Sequence, residues 1–137
     1  MNFSNMKNEI LSDRARAEKE IAYIKEHTEI SKEELHEHVY EYVLFKYNLS
    51  AEAEGVYALD ELAKISVAKA IRLSKERAIA YDNRGTCEGA TSAMNKKVLL
   101  MMAIQRELGI KFPLDKTAGI KTTHELAAVT WEELRKK

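Results

Sequence analysis

Between Leu108 and Glu125 the sequence is interrupted at intervals too short for any long element, and this constrains the fold more than anything else in the chain. Leu108-Gly109-Ile110 predicts a helix terminus, because glycine takes the left-handed conformation that closes a helix. Pro113 cannot continue a helical hydrogen-bond ladder, so the piece leading to it is short and extended. A brief helix over 116–118 follows, and Ile120 packs back as a single apolar plug. Thr122 is then placed to cap a last helix through Glu125-Leu126-Ala127, its side-chain oxygen taking up an unpaired backbone N–H.

The rest of the chain has almost no breakers. One proline and five glycines punctuate 137 residues, and the β-branched residues are scattered, so the fold class is all-α. Residues 5–27 carry Met6, Ile10, Ala17, Ile21 and Ile24 at helical intervals, a narrow apolar stripe on a charged helix. Ser31 restarts the chain as an N-cap, with Glu34 three residues on to complete a capping box. The helix that follows reaches about residue 47 and carries Leu35, Val39, Tyr42, Val43 and Phe45. Residues 56–81 read as one long helix. Its apolar positions (Leu59, Leu62, Ala63, Ile65, Val67, Ala70, Ile71, Leu73) occupy more than one face, as in a helix covered on several sides. An irregular loop spans 82–89, and a further helix begins at residue 90 or 91 and ends at 108.

Charge and length exclude several functions. Twenty-two basic and twenty-two acidic residues cancel, and no run of five like charges suggests a nucleic-acid arm. One cysteine cannot form an internal disulfide, which fits a reducing compartment. The N-terminus is charged where a signal peptide needs an apolar segment, and the longest apolar run, 98–104, is far short of a membrane span. A single domain covering 1–137 is expected, cytoplasmic, bound to neither membrane nor nucleic acid, and monomeric or homodimeric.

The C-terminal pattern resembles the back half of an acyl carrier protein. In that family helix II ends in an apolar-acidic-Ile-Pro step, a small helix III follows, and an Ile-x-Thr-x-x-Asp/Glu-Leu sequence opens helix IV. Pro113, Ile120, Thr122, Glu125 and Leu126 stand in matching register, and the exit Tyr47-Asn48-Leu49-Ser50-Ala51-Glu52 resembles the Leu-x-Ser-x-Glu loop that ends helix I. The resemblance covers 31–50 loosely and 91–133 more firmly. It implies an acyl-carrier-like four-helix bundle over 31–137, with an extra N-terminal helix over 1–30 and a long helical insertion, about 56–82, between helices I and II. It also implies 4'-phosphopantetheine on a serine in an Asp-Ser-Leu motif, but Met94 stands at that position and a thioether cannot form the phosphodiester. Ser92, two residues earlier and without a preceding aspartate, is the remaining attachment candidate. Its plainer role is a helix-capping hydroxyl.

The expected function is therefore a non-catalytic, cofactor-free binding module. It would dock a protein partner, enzyme or peptide, in a biosynthetic or peptide-maturation system. Met94, Lys96, Lys97 and Met101 are the candidate contact residues, with loop 84–89 and the exposed side of the inserted helix beside them. The two lysines replace acidic positions of ordinary carriers, so the partner's charge would be reversed. Met94, Met101 and Met102 suit a core as well as an adaptable interface, and the core is the expectation for this cluster. Two alternatives stay open: a working carrier loaded at Ser92, and a thiol enzyme using Cys87 before a helix N-terminus, with His124 as base. His27, His36, His38 and His124 contain one Glu-x-x-His step where di-iron bundles need two. They are expected on a solvated face, with no metal, His36 and His38 pointing to different sides and Glu34–His38 forming a surface pair.

Overall fold

A computed structural model describes residues 3–81 and 89–137, and the chain is all-helical over them. Six α-helices follow in order: α1 (Phe3–Glu26), α2 (Lys32–Lys46), α3 (Leu59–Tyr81), α4 (Gly89–Leu108), α5 (Leu114–Thr117) and α6 (Thr123–Arg135), with a 3-10 turn at Ala51–Ala53. α2 packs against α1 and α6, α3 packs along α4, and α1 also reaches α4.

The helix ends show why the boundaries fall where they do. Glu34 N–H donates to Ser31 Oγ at 3.1 Å, so Ser31 caps α2 as expected. The reciprocal half of that capping box is not made; the Glu34 carboxylate accepts instead from Tyr23 OH of α1, at 3.5 Å. Thr122 and Glu125 form a complete box at α6, each backbone N–H donating to the other side chain at 3.1 Å. Gly109 closes α4 at φ 64°, and Ile110 N–H donates back to Gln105 O at 3.0 Å. Asn48 does the same for α2 at φ 57°, with Leu49 N–H donating to Leu44 O at 2.8 Å. Asparagine is the residue after glycine that best tolerates this left-handed closure.

The starts of α3 and α5 differ from the sequence reading. α3 begins at Leu59 rather than near 56, because Ala58 pairs with Thr122 in an isolated antiparallel bridge. Leu59 N–H donates to Lys121 O and Thr123 N–H to Tyr57 O, both at 2.8 Å. This pairing fixes the start of α3 against the start of α6. α5 covers Leu114–Thr117 rather than 116–118, since the Pro113 carbonyl accepts from both Lys116 and Thr117 N–H and starts the turn at once.

The core draws on every long helix. Ile24, Leu35, Val39, Val43, Leu59, Leu62, Ile104, Ile120 and Leu126 are essentially inaccessible. Ile120 is the plug that its spacing predicted. Ala17, Ile21 and Ile24 carry the apolar stripe of α1 into this core, whereas Ile10 of the same stripe is half exposed. At the opposite end Trp131 Nε1 and an Arg135 nitrogen both donate to Ile30 O, tying α6 to the α1–α2 connection.

Candidate functional site

α4 divides into two unlike faces. Leu100, Met101, Ala103, Ile104 and Leu108 are buried. Met94, Val98, Leu99 and Met102 are instead 71%, 50%, 61% and 54% exposed. At 3.6 residues per turn these four occupy one arc of roughly 140°, opposite the core. The cause is the apolar run 98–104: seven consecutive apolar residues surround a helix, but the fold covers only one side of this one. Exposed apolar surface of this kind, gathered on one element, marks a contact site more often than a solvated one.

This corrects two expectations. Met101 is 6% exposed and belongs to the core, so it is no contact residue. Met94 and Met102, expected in the core, lie on the surface, because among the described residues α3 and α1 pack against the other side of α4. Val98 and Leu99 join the stripe, and the sequence reading had not assigned them to it. The signal was the unbroken apolar run itself, which no single buried face can absorb.

Beside the stripe, a groove of about 320 Å³ runs between α4 and the end of α2, lined by Lys46, Tyr47, Lys96, Leu99, Leu100, Met102, Ala103 and Arg106. Its charged lining is entirely cationic. The Lys96 stem is half-buried, its ammonium 5.5 Å from the centre of the Tyr47 ring, and burial lowers its pKa from the usual lysine value. Tyr47 is 4% exposed, and its hydroxyl is buried without a hydrogen-bond partner among the described residues. Burial, with Asp60 nearby, raises the pKa of that phenol far above its usual value. Lys97 is not free for the same role: its ammonium is 3.5 Å from an Asp60 carboxylate oxygen, so it ties α4 to the start of α3. Of the candidate contacts, Met94 and Lys96 therefore lie on this face, Lys97 is engaged at its edge and Met101 is beneath it.

Ser92 falls in the first turns of α4, and its side chain is outside the described ones. Cys87 and loop residues 84–88 also lie outside the described residues.

The histidines are not a plain solvated face. His36 stacks on His124 at 3.8 Å between ring centres and 14° between planes, and its Nε2 lies 2.9 Å from Thr123 Oγ1. Tyr40 and Tyr57 extend this cluster, 4.9 Å apart, with Tyr57 4.8 Å from His124. Burial, then the neighbouring His124, lowers the His36 pKa from its ordinary value. On the other side of α2, His38 Nδ1 is 2.6 Å from a Glu20 carboxylate oxygen, and Tyr23 stacks between His38 and His27 at 4.2 and 4.0 Å. His36 and His38 do face different neighbours, as their spacing required, but His38 pairs with Glu20 rather than Glu34. The four-residue spacing of Tyr23 and His27 is a signal for that one stack; the His36–His124 and Tyr23–His38 stacks join different helices and carry none. Among the described residues, no group of three or more His, Cys, Asp or Glu side chains is placed to hold a metal ion, and no helix is long and apolar enough to cross a membrane.

In comparisons with known proteins, the chain matches no family model, no curated protein and no solved structure.

Proposed function

We propose that this chain is a non-catalytic binding module of the acyl-carrier type that docks a protein partner through the outer face of α4. The observation that carries the reading is the stripe of Met94, Val98, Leu99 and Met102, each half exposed or more and gathered on one face of one helix. Leaving such side chains in water is unfavourable at roughly 25 cal/mol per Å² of apolar surface, so a partner that covers them gains binding energy. In this reading α2, α4, α5 and α6 correspond to the four carrier helices, while α1 and α3 are additions. The closure at Gly109, the short α5 after Pro113, buried Ile120 and the Thr122–Glu125 box support that correspondence. Met94 stands where the carrier serine would be, so the module holds no phosphopantetheine and the position serves contact instead. A cytoplasmic biosynthetic or peptide-maturation enzyme, or its peptide substrate, is the proposed class of partner.

The test is capture from a lysate of the source cell on immobilised protein, comparing the wild type with Leu99→Asp and with Lys19→Glu on α1. The reading expects a defined partner retained by the wild type and by Lys19→Glu, and lost by Leu99→Asp. Equal retention by all three would remove α4 as the docking face.

A further inference from the structure

The charge around the α4 stripe specifies what can cover it. Lys46, Lys96 and Arg106 line the adjoining groove with no carboxylate among its lining residues. Arg106 Nε has an exposed neighbour in Glu107 at 3.7 Å, and Lys46 rests 6.0 Å from the Tyr42 ring centre. Neither lysine has a carboxylate within ion-pair distance among the described residues. Lys96 to Arg106 spans ten residues, about 15 Å along the helix, which is the length of two to three helical turns. The stripe and the groove thus give an apolar strip flanked along one side by three cations.

We infer that the partner is an amphipathic helix of a different protein, with apolar residues at (i, i+4) spacing seated on Met94, Val98, Leu99 and Met102 and with Asp or Glu facing Lys46, Lys96 and Arg106. This inference rests on the docking reading above and adds the chemistry of the partner. Helix-in-groove recognition uses such i, i+3 and i+4 anchors, and charge complementarity along the rim sets register and excludes wrong partners. Antiparallel self-pairing is disfavoured by the same charges: two copies joined stripe to stripe in that sense would bring both sets of Lys46, Lys96 and Arg106 to one side of a drying interface, where like charges repel strongly.

The experiment is selection from a displayed library of helical peptides, randomised on one face, against the intact protein. The selected peptides are then titrated by fluorescence anisotropy at about 50 and about 300 mM salt, where screening differs sharply. Expected are peptides with paired apolar residues beside Asp or Glu, weakened roughly tenfold or more by Leu99→Asp and by Lys46→Glu/Arg106→Glu, and weakened by salt as exposed ion pairs are. Replacing the peptide's acids with Lys restores binding to the Lys46→Glu/Arg106→Glu protein. Far-ultraviolet circular dichroism confirms that each variant keeps its helices. Peptides that need Leu99 but ignore salt and the two charge reversals overturn the acidic partner and leave the docking face standing. Peptides that bind Leu99→Asp as well as the wild type, or a library that yields no binder, overturn both. A wild-type dimer in sedimentation that Leu99→Asp converts to monomer identifies a second copy as the occupant and overturns the inference.

Discussion

His36 of α2 and His124 of α6 lie ring on ring, 3.8 Å between centres, at the point where Thr123 joins the Ala58–Thr122 bridge to the first turn of α6. His36 Nε2 meets the hydroxyl of Thr123, a side chain with no exposed surface. The stack therefore joins three pieces that are far apart in sequence: α2, the extended segment before α3, and the capping box of α6. Protonating both rings would place two positive charges face to face beside a helix N-terminus that already favours negative charge.

The first prediction follows from the lowered pKa of His36, caused first by burial and then by His124. The unfolded chain takes up a proton at this site before the folded chain does, so stability is full above about pH 6.5, the unperturbed histidine value. It declines as pH falls from there toward the folded pKa. Thermal melts followed by circular dichroism should show a lower Tm at about pH 5.5 than at about pH 7.5. His124→Phe keeps a stacking ring but removes its charge, so its melts should show a smaller decline. An unchanged pH dependence in His124→Phe would show that the stack does not set it.

The second prediction concerns the start of α6. Thr122→Ala removes the acceptor for Glu125 N–H, and Glu125→Ala removes the acceptor for Thr122 N–H. Each should cost about 1 kcal/mol in chemical denaturation. Because the two bonds form one reciprocal unit, the double variant should cost less than the sum of the singles. Strict additivity would mean that the box does not act as a unit.

Which parts of this were legible in the sequence is a matter of range. Gly109, Pro113, Thr122 with Glu125, and Ser31 act within one turn, and each did what its chemistry requires. Ser31 shows the limit: its cap formed, but Glu34 found Tyr23, eleven residues away, in place of the Ser31 backbone. The start of α3 was misplaced by three residues because the Ala58–Thr122 bridge spans the chain. The α4 face was only half legible. The apolar run 98–104 announces an excess of hydrophobic surface, but which side faces the core depends on where α3 packs. Met101 and Met102, adjacent and chemically identical, end up on opposite sides of that division. The histidine stacks were missed because ring stacking across helices depends on packing that a lone sequence does not specify.

The third prediction addresses Ser92. If Met94 has replaced the attachment residue, incubation with coenzyme A and a broad-specificity phosphopantetheinyl transferase leaves the intact mass unchanged, while a conventional carrier in the same tube is fully loaded. A gain of one phosphopantetheinyl group that Ser92→Ala abolishes would instead make this a working carrier with a displaced attachment site.

The fourth prediction separates the two faces of α4 by stability alone. Met101 and Ile104 are buried among Leu100, Leu108 and the rest of the core. Truncating Ile104 or Met101 to alanine should cost roughly 2–5 kcal/mol, the transfer term plus the cavity left behind. Met94 and Leu99 are 71% and 61% exposed, so Met94→Ser and Leu99→Ser remove little buried surface and should stay within about 0.5 kcal/mol of the wild type. Urea denaturation of the four variants reads both classes. Serine variants as destabilised as the alanine ones would place the stripe in the folding core and leave α4 without a free face for any partner. Near-neutral serine variants would leave Met94 and Leu99 on a free face of α4, as the proposed docking requires.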